Sequence, residues 1–339
     1  MVIRLILLAF LRFTTGLEAD KVGIVHMHGF WQAFDAQHHL DFKNFVEEKT
    51  GVKVHLIDAF NDIEKPPAES SMTPLWAQVP VILEKVKNIS AHYDKIIAVG
   101  FSQGGVIWRA MIESWDNHNV DTFISLASPQ GGQAEIPANY LALMGGGQPQ
   151  LSPFFPIPKS KFSASCLGLP PPPLIENLLS VKETMKEANV ELSPYNPGVQ
   201  QKFAPSNYYR NPDTNTFYLQ TEFFPKLNNE VGGKKAKQRQ KINFERLRKL
   251  VLIGGPDDGT VIPWQSEIFG FRTADKKIVP MEETQFYKDD LFGLKTLNKK
   301  GAITTCIKGG LRHNDFPNSS DVLNDCVLPA IQDILKFES

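Results

Sequence analysis

The segment around Ser102 limits the folds open to this chain more than any other. The apolar run Lys95–Val99 leads directly into Gly100-Phe101-Ser102-Gln103-Gly104-Gly105, and Val106–Ile112 continues at helical spacing. This order predicts a buried strand, a sharp turn that carries a serine, and a helix. Glycines on both sides of the turn allow strand and helix to approach closely. We therefore expect Ser102 Oγ to stand above the end of a strand, as a candidate nucleophile.

Short β-branched runs alternate with longer amphipathic stretches along most of the chain. This alternation is typical of βαβ units and predicts an α/β fold with a mostly parallel central sheet. Leu75–Ile89 should form a helix on one face of the sheet, and a helix over Val322–Phe337 should close the domain. The predicted strands are Val22–Met27, Val52–Ile57, Lys95–Val99, Thr122–Leu126, Leu250–Ile253 and Ala302–Ile307.

Chain length and charge narrow the classes of protein further. With 339 residues, 42% of them hydrophobic, the chain can bury a large core, and we expect one large domain with an insertion. Lys and Arg number 36 against 37 Asp and Glu. These charges nearly cancel, so the chain as a whole has no positive field that would attract a phosphate backbone. A nucleic acid partner is therefore not expected.

The N-terminus has the layout of a secretory signal peptide. Arg4 precedes the apolar run Leu5–Leu11, and Thr14-Thr15-Gly16 offers a small-residue cleavage site. We expect residues 1–16 to be removed, although cleavage could also occur as late as residue 19. The alternative interpretation is a frayed N-terminal helix that is not removed. The run is too short to span a bilayer, so no transmembrane segment is expected. Two sequons, at Asn88 and Asn318, are candidate glycosylation sites that fit a lumenal or secreted protein.

Two segments have unusual composition. Residues 145–190 hold a triple glycine and many prolines, ending in Pro170-Pro171-Pro172-Pro173, which disfavours regular structure. A lid over an acyl site, a disordered insertion and a mistaken exon all remain open for this segment. Eight basic residues lie within Lys234–Lys249, where Phe244, Leu247 and Leu250 at helical spacing favour a surface helix over an anion-binding site.

A serine nucleophile needs a base and an acid that orients the base. Six of the eight histidines precede Ser102, and only His118 and His313 follow it. When the nucleophile sits on such a strand-to-helix turn, the sequence order is serine, acid, histidine. The candidate base is therefore His313, which lies in a loop after the last predicted strand. His118 should be a surface residue at a helix end. The acid should follow strand Leu250–Ile253, where the adjacent Asp257 and Asp258 both remain candidates.

Backbone N–H groups should stabilise the oxyanion. The N–H of the residue after the nucleophile, Gln103, is one candidate, and that of Phe30, in the loop after the first strand, is the other. His26 and His28 stand two apart on that strand and could bind a metal, but no third ligand lies nearby in sequence. We therefore expect no metal and no other cofactor.

Several segments resemble the palmitoyl-protein thioesterase family of α/β-hydrolases, above all its lysosomal thioesterase branch. The resemblance covers about residues 22–140 and 194–335. It implies an α/β-hydrolase fold with helices on both sheet faces, a cap insertion at about 131–240, and Ser102, Asp258 and His313 as catalytic residues. The segments are Phe101-Ser102-Gln103-Gly104-Gly105, Asp116–Asp121, Phe123–Gln130, Leu252–Gly259, Pro263-Trp264-Gln265-Ser266, Phe269-Gly270-Phe271 and Phe292–Leu297.

The family's activity implies hydrolysis of long-chain fatty acyl thioesters, such as palmitoyl-CoA or an S-palmitoyl cysteine, in the lysosome or after secretion. The catalytic residues alone do not separate this from a lipase or carboxylesterase acting on oxygen esters. A catalytically silent, lipid-binding hydrolase fold is a third hypothesis, against which the intact serine, acid and histidine argue. Protein partners are not indicated.

Two positions depart from the family pattern, and two cysteines match it. Phe101 replaces the tyrosine that is usual before the nucleophile, and Ser206 stands where the branch has a cysteine, so a disulfide of the cap region is missing. Cys306 and Cys326 match family cysteines, which implies a disulfide bond whose loop holds His313. Such a bond would stabilise the fold by about 3 kcal/mol.

Overall fold

The computed structural model describes residues 18–57, 73–135, 193–195, 197–212 and 218–336. The predicted signal peptide, the Pro-rich segment 145–190 and Cys166 lie outside these residues. Six parallel strands form the central sheet, in the order β2-β1-β3-β4-β5-β8, and a two-stranded antiparallel ribbon pairs β6 with β7. The strands are β1 Val22–Met27, β2 Lys53–Ile57, β3 Lys95–Phe101, β4 Val120–Leu126, β5 Lys249–Gly254, β6 Phe271–Arg272, β7 Ile278–Val279 and β8 Ile303–Ile307.

Helices connect and cover these strands. The α-helices are α1 Gln37–Thr50, α2 Leu75–Ser90, α3 Gln103–Ser114, α4 Pro197–Gln200, α5 Phe224–Leu227, α6 Lys234–Phe244, α7 Gln285–Lys288, α8 Leu294–Lys299, α9 Ser320–Val322 and α10 Leu328–Lys336. A π-helical turn, Leu323–Val327, joins α9 to α10. Short 3-10 helices lie at Ala19–Lys21, Ser193–Tyr195, Ala204–Tyr208, Trp264–Ile268, Met281–Glu283 and His313–Asp315.

The two faces of the sheet build two separate hydrophobic cores. Alternate residues of a strand point to opposite faces, so Ile96 and Ala98 of β3 pack toward α2 and α3, whereas Ile97 and Val99 pack toward α1 and α10. Because both faces are covered, the central strands are mostly apolar, and nearly all of their residues are buried. The predicted α/β fold is confirmed, as are the six predicted sheet strands and the helix over Leu75–Ile89, with bounds that differ by two residues at most. The helix predicted over Val322–Phe337 is divided by the π-helical turn Leu323–Val327, so α10 begins only at Leu328.

Helix α6 is the surface helix expected from the basic segment, but it is shorter. It ends at Phe244, and Leu250 belongs to strand β5. Asn243 and Phe244 are its buried residues. Two of its cations pair with carboxylates of other elements, since Arg239 bonds Asp116 and Lys241 bonds Asp290. Among the described helices, none is long and apolar enough to cross a membrane.

Candidate active site

Ser102 sits on a strained turn between β3 and α3. Its φ of 54° and ψ of −126° lie outside the regions that most residues adopt. A Cβ at position 100 would overlap the backbone of Gly105, so the crossing of strand and helix requires glycine there. The serine is held at the carboxyl end of a central strand, as the motif predicts.

The loop after β1 lies directly against this turn. A Cβ at position 104 would overlap the carbonyl oxygen of His28, and one at position 29 would lie 2.9 Å from Ser102 Cβ. Gln103 begins helix α3, so its N–H is one of those that find no acceptor within the helix. Phe30, in the loop, is buried. The loop and the helix start thus meet beside Ser102, which is the arrangement that the predicted oxyanion hole needs.

His313 lies between Ser102 and Asp258. Its Nε2 is 2.8 Å from Ser102 Oγ, and its Nδ1 is 2.5 Å from Asp258 Oδ2. All three side chains are buried. The ring of Phe101 packs against the imidazole at a centroid distance of 4.9 Å. This is the geometry in which an acid orients a histidine that can take a proton from a serine hydroxyl.

The two neighbouring aspartates have different contacts. Asp258 is buried, and its Oδ1 accepts hydrogen bonds from the N–H groups of Thr260 (2.9 Å) and Val261 (2.7 Å). Exposed Asp257 instead accepts a bond of 2.7 Å from the N–H of Gly310, in the loop that carries His313. Asp258 therefore contacts the imidazole, and Asp257 tethers the histidine loop.

The electrostatics of Asp258 favour its charged form. Burial raises the pKa of this carboxyl, but the charge of His313 and hydrogen bonds from His313 and Val261 outweigh burial and lower the pKa below its usual value. An ionised Asp258 can accept the Nδ1–H of His313 and stabilise the imidazolium that forms when the serine is deprotonated.

A buried hydrogen-bond network connects β1 to the loop that carries His313. The sequence did not indicate this network. His26 Nε2 lies 2.8 Å from His39 Nδ1, and His39 Nε2 lies 3.0 Å from Gln32 Oε1. Gln32 Oε1 also accepts from Gly29 N–H, and Gln32 Nε2 donates to Asn314 Oδ1 at 3.1 Å. Since the amide oxygen only accepts, His39 must donate through Nε2 and His26 must donate to His39.

The two histidines of this hydrogen-bond network, His26 and His39, are neutral. Burial, reinforced by the charges of His28 and His38, lowers the pKa of His26 to about 3, and burial lowers that of His39 well below its usual value. His26 Nε2 already bonds His39. Among the described residues, no third ligand lies with His26 and His28. These contacts do not support a metal site at the two histidines.

One group of described residues has donor atoms close enough for a metal. The ligand atoms of Asp258, Glu267 and His313 all lie within 4.8 Å of one another. However, His313 Nδ1 already bonds Asp258 Oδ2, and a metal would have to replace that bond. We interpret the group as two neighbouring carboxyl groups, one of which is hydrogen-bonded to the imidazole of His313. Glu267 is a site residue that was not predicted from the sequence: it directly follows the segment Pro263-Trp264-Gln265-Ser266, but that segment assigns it no role.

The other candidate residues lie apart from Ser102. His118 is buried, with Nε2 2.8 Å from the carbonyl of Asn243, so the expectation of a surface histidine was wrong: helix α6 covers it. Ser206 is buried, and its hydroxyl donates to the carbonyl of Phe203 at 2.6 Å. Asn88 and Asn318 are both exposed.

Cys306 and Cys326 form a disulfide bond, as the resemblance implied. Cys306 belongs to β8, and Cys326 to the π-helical turn before α10. The chain between them carries His313, so the bond ties both ends of the histidine loop to the sheet and to the C-terminal helix.

The chain is similar in sequence to proteins of one known family. A family model described as palmitoyl protein thioesterase matches residues 23–313. Lysosomal thioesterase PPT2 of Mus musculus is 34% identical over 309 residues, which cover 90% of this chain and 86% of that protein. The Homo sapiens protein of the same name is 33% identical, over 92% of this chain and 88% of its own. Among solved structures, MenH from S. aureus matches with a TM-score of 0.43 and 12% identity, over 94% of this chain and 96% of that chain.

Proposed function

The chain belongs to the palmitoyl protein thioesterase family, and on this basis we propose that it is a lysosomal serine hydrolase of long-chain fatty acyl thioesters. The observation that carries the proposal is the hydrogen-bonded line from Ser102 Oγ through His313 to Asp258, with distances of 2.8 and 2.5 Å. A protein that only bound lipids would need none of these contacts.

In the first half of the reaction, Ser102 Oγ attacks the thioester carbonyl carbon while His313 Nε2 takes the hydroxyl proton. Asp258 stabilises the imidazolium. The N–H groups of Phe30 and Gln103 are the donors to the oxyanion. When the tetrahedral intermediate collapses, the carbon–sulfur bond breaks and His313 returns the proton to the thiolate. The thiol leaves, and the acyl group remains on Ser102.

In the second half, His313 takes a proton from water, and the resulting hydroxide attacks the acyl-enzyme. Collapse of this second intermediate releases the fatty acid and returns the proton to Ser102 Oγ. Every proton transfer uses His313 or water, so the mechanism requires neither metal nor cofactor.

The substrate class and compartment follow from the family. Its description names palmitoyl proteins, and the similar proteins of Mus musculus and Homo sapiens are named lysosomal. Palmitoyl-CoA and S-palmitoyl cysteine both present a long apolar acyl chain and a sulfur leaving group. We further propose that residues 1–16 direct the chain into the secretory pathway, and that residues 17–339 form one α/β-hydrolase domain with a cap insertion at about 131–240.

The test is hydrolysis of palmitoyl-CoA beside a matched palmitoyl oxygen ester, by the wild type and Ser102→Ala, at acid and neutral pH. We expect serine-dependent turnover that favours the thioester. Preference for the oxygen ester would make the protein a lipase or carboxylesterase, and full activity of Ser102→Ala would overturn the proposed nucleophile.

A further inference from the structure

A second buried carboxyl group lies beside Asp258. Glu267 belongs to the short helix Trp264–Ile268 and is fully buried. Its Oε2 accepts a hydrogen bond of 2.9 Å from the N–H of Gly255. A Cβ at position 254 would overlap the same carboxyl group, so glycine there makes room for it. The end of strand β5 is therefore shaped to receive the Glu267 side chain.

One carboxyl oxygen of Glu267 and one of Asp258 lie within 4.8 Å of each other. Glu267 Oε1 is buried and accepts no hydrogen bond from the described residues. The exposed fractions of Glu267 and Asp258 are 0% and 1%, so water does not screen them. Two carboxylates this close at a dry site do not both ionise, because the like charges repel and neither is solvated. One of the two must therefore carry a proton.

The surroundings assign this proton to Glu267. Asp258 accepts hydrogen bonds from the N–H groups of Thr260 and Val261 and from the imidazole of His313. Glu267 accepts one backbone N–H bond. Burial, with the added effect of the Asp258 charge, raises the pKa of Glu267 well above its usual value, whereas the pKa of Asp258 is lowered.

We propose that Glu267 is a positioning residue: as a neutral carboxylic acid, it donates its O–H to Asp258 and fixes the carboxylate that orients His313. An ionised carboxylate offers about four acceptor sites. Thr260, Val261 and His313 occupy three of them, and the Glu267 O–H occupies the fourth. With all four engaged, the Asp258 carboxylate cannot turn away from the imidazole without breaking several bonds.

The neutrality of Glu267 matters as much as its contact. An ionised Glu267 would place a second negative charge within reach of His313 and favour the imidazolium form, which cannot act as a base. A neutral donor fixes Asp258 without adding that charge. The inference rests on the proposed function in one respect only, that Ser102, His313 and Asp258 work together.

The test compares Glu267→Gln with Glu267→Ala, using the rate at which a fluorophosphonate probe labels Ser102 from about pH 4 to 8. A glutamine amide can donate to Asp258 and accept from Gly255, so Glu267→Gln should keep most of the labelling rate and the same acid limb of the pH profile. Glu267→Ala should label about ten- to a hundredfold more slowly. For palmitoyl-CoA, the loss in Glu267→Ala should appear in kcat rather than in KM.

Two results would overturn the inference. Glu267→Gln could lose as much as Glu267→Ala, or its acid limb could move to lower pH, as removal of a negative charge would cause. If Glu267→Ala does not fold, the acid limb of Glu267→Gln decides. If the wild type reacts with the probe but does not cleave palmitoyl-CoA, the proposed substrate is wrong. The comparison of the Glu267 variants remains valid in that case.

Infrared spectroscopy tests the proton directly and needs no activity. Burial raises the pKa of Glu113 to about 7, so this residue also contributes to a neutral-carboxyl C=O band at neutral pH. The band of the wild type should therefore be weaker in Glu267→Gln and unchanged in Glu283→Gln, which changes an exposed carboxylate. A spectrum of Glu267→Gln that keeps the full band of the wild type would show that Glu267 is ionised and would contradict the inference.

Discussion

His313 Nε2 lies 2.8 Å from Ser102 Oγ, although 211 positions separate the two residues along the chain. Both follow the carboxyl ends of parallel strands, Ser102 after β3 and His313 after β8. In a parallel sheet these ends share one edge, which is where open α/β sheets hold their sites. Asp258, after β5, reaches the same edge, so three loops that are distant in sequence meet above the sheet.

The adjacent aspartates provide a matched pair for mutation. Asp258→Asn should lower kcat/KM by about 10⁴-fold, because an amide in place of the carboxylate fails to hold the tautomer of His313 that accepts the serine proton. Asp257→Asn keeps an oxygen that can accept from Gly310 N–H and should lose little activity. Steady-state kinetics on palmitoyl-CoA would decide. Equal losses in the two variants would contradict the assigned roles.

Gly104 should tolerate no side chain. A methyl group there would overlap the carbonyl of His28 and separate the serine turn from the loop of Phe30. We expect Gly104→Ala to lower the free energy of unfolding by about 1–3 kcal/mol and to reduce activity as well. Gly233→Ala is the control, since no atom lies within 4 Å of a Cβ built there. Urea unfolding of both variants tests this, and equal stabilities would argue against the close packing.

The disulfide bond predicts a thiol count. Of three cysteines, two are joined, so one thiol of the denatured, unreduced protein should react with an alkylating agent. Mass spectrometry after alkylation would show one adduct, and three adducts would refute the bond. Replacing both Cys306 and Cys326 with serine should lower the free energy of unfolding by about 3 kcal/mol.

Buried His26 predicts how stability depends on pH. Burial lowers its pKa from 6.5 to about 3, so between these values the unfolded chain binds a proton there and the folded chain does not. The contribution of His26 is therefore complete above pH 6.5 and is lost progressively as the pH falls toward 3. His26→Gln should flatten this part of the profile, because a glutamine can still donate to His39 but does not titrate.

The matched control is His92→Gln, which changes an exposed histidine. Chemical unfolding at a series of pH values measures the slopes. A slope of His26→Gln equal to those of the wild type and the control would show that the folded protein accommodates a charged His26.

The parts of the fold that could be predicted are those that local pattern dictates. Strand β3, the turn at Ser102 and helix α3 are contiguous, so periodicity and two glycines suffice to predict them. His313 emerged by elimination, because the chain has few histidines after Ser102. The choice between Asp257 and Asp258 depended on resemblance, since both are followed by turn-forming residues and only tertiary contacts separate their roles.

Contacts between distant segments escaped prediction. Glu267 follows the segment Pro263-Trp264-Gln265-Ser266, but that segment does not indicate a role for it, and its position beside Asp258 depends on how the helix Trp264–Ile268 packs against β5. His118 appeared to be a surface residue because its neighbours are polar, whereas helix α6, more than a hundred residues later, buries it. The hydrogen-bond network of His26, His39 and Gln32 likewise requires the packing of α1 on β1. No local sequence pattern encodes that packing.

The most direct test of the account is to look for the acyl-enzyme. The wild type would be mixed with excess palmitoyl-CoA, quenched with acid within the first turnovers, digested and analysed by mass spectrometry, with Ser102→Ala treated in parallel. The account predicts a peptide whose Ser102 carries one palmitoyl group, together with release of an equal amount of CoA thiol. Thiol release without an acyl group on Ser102, or equal release by Ser102→Ala, would contradict it.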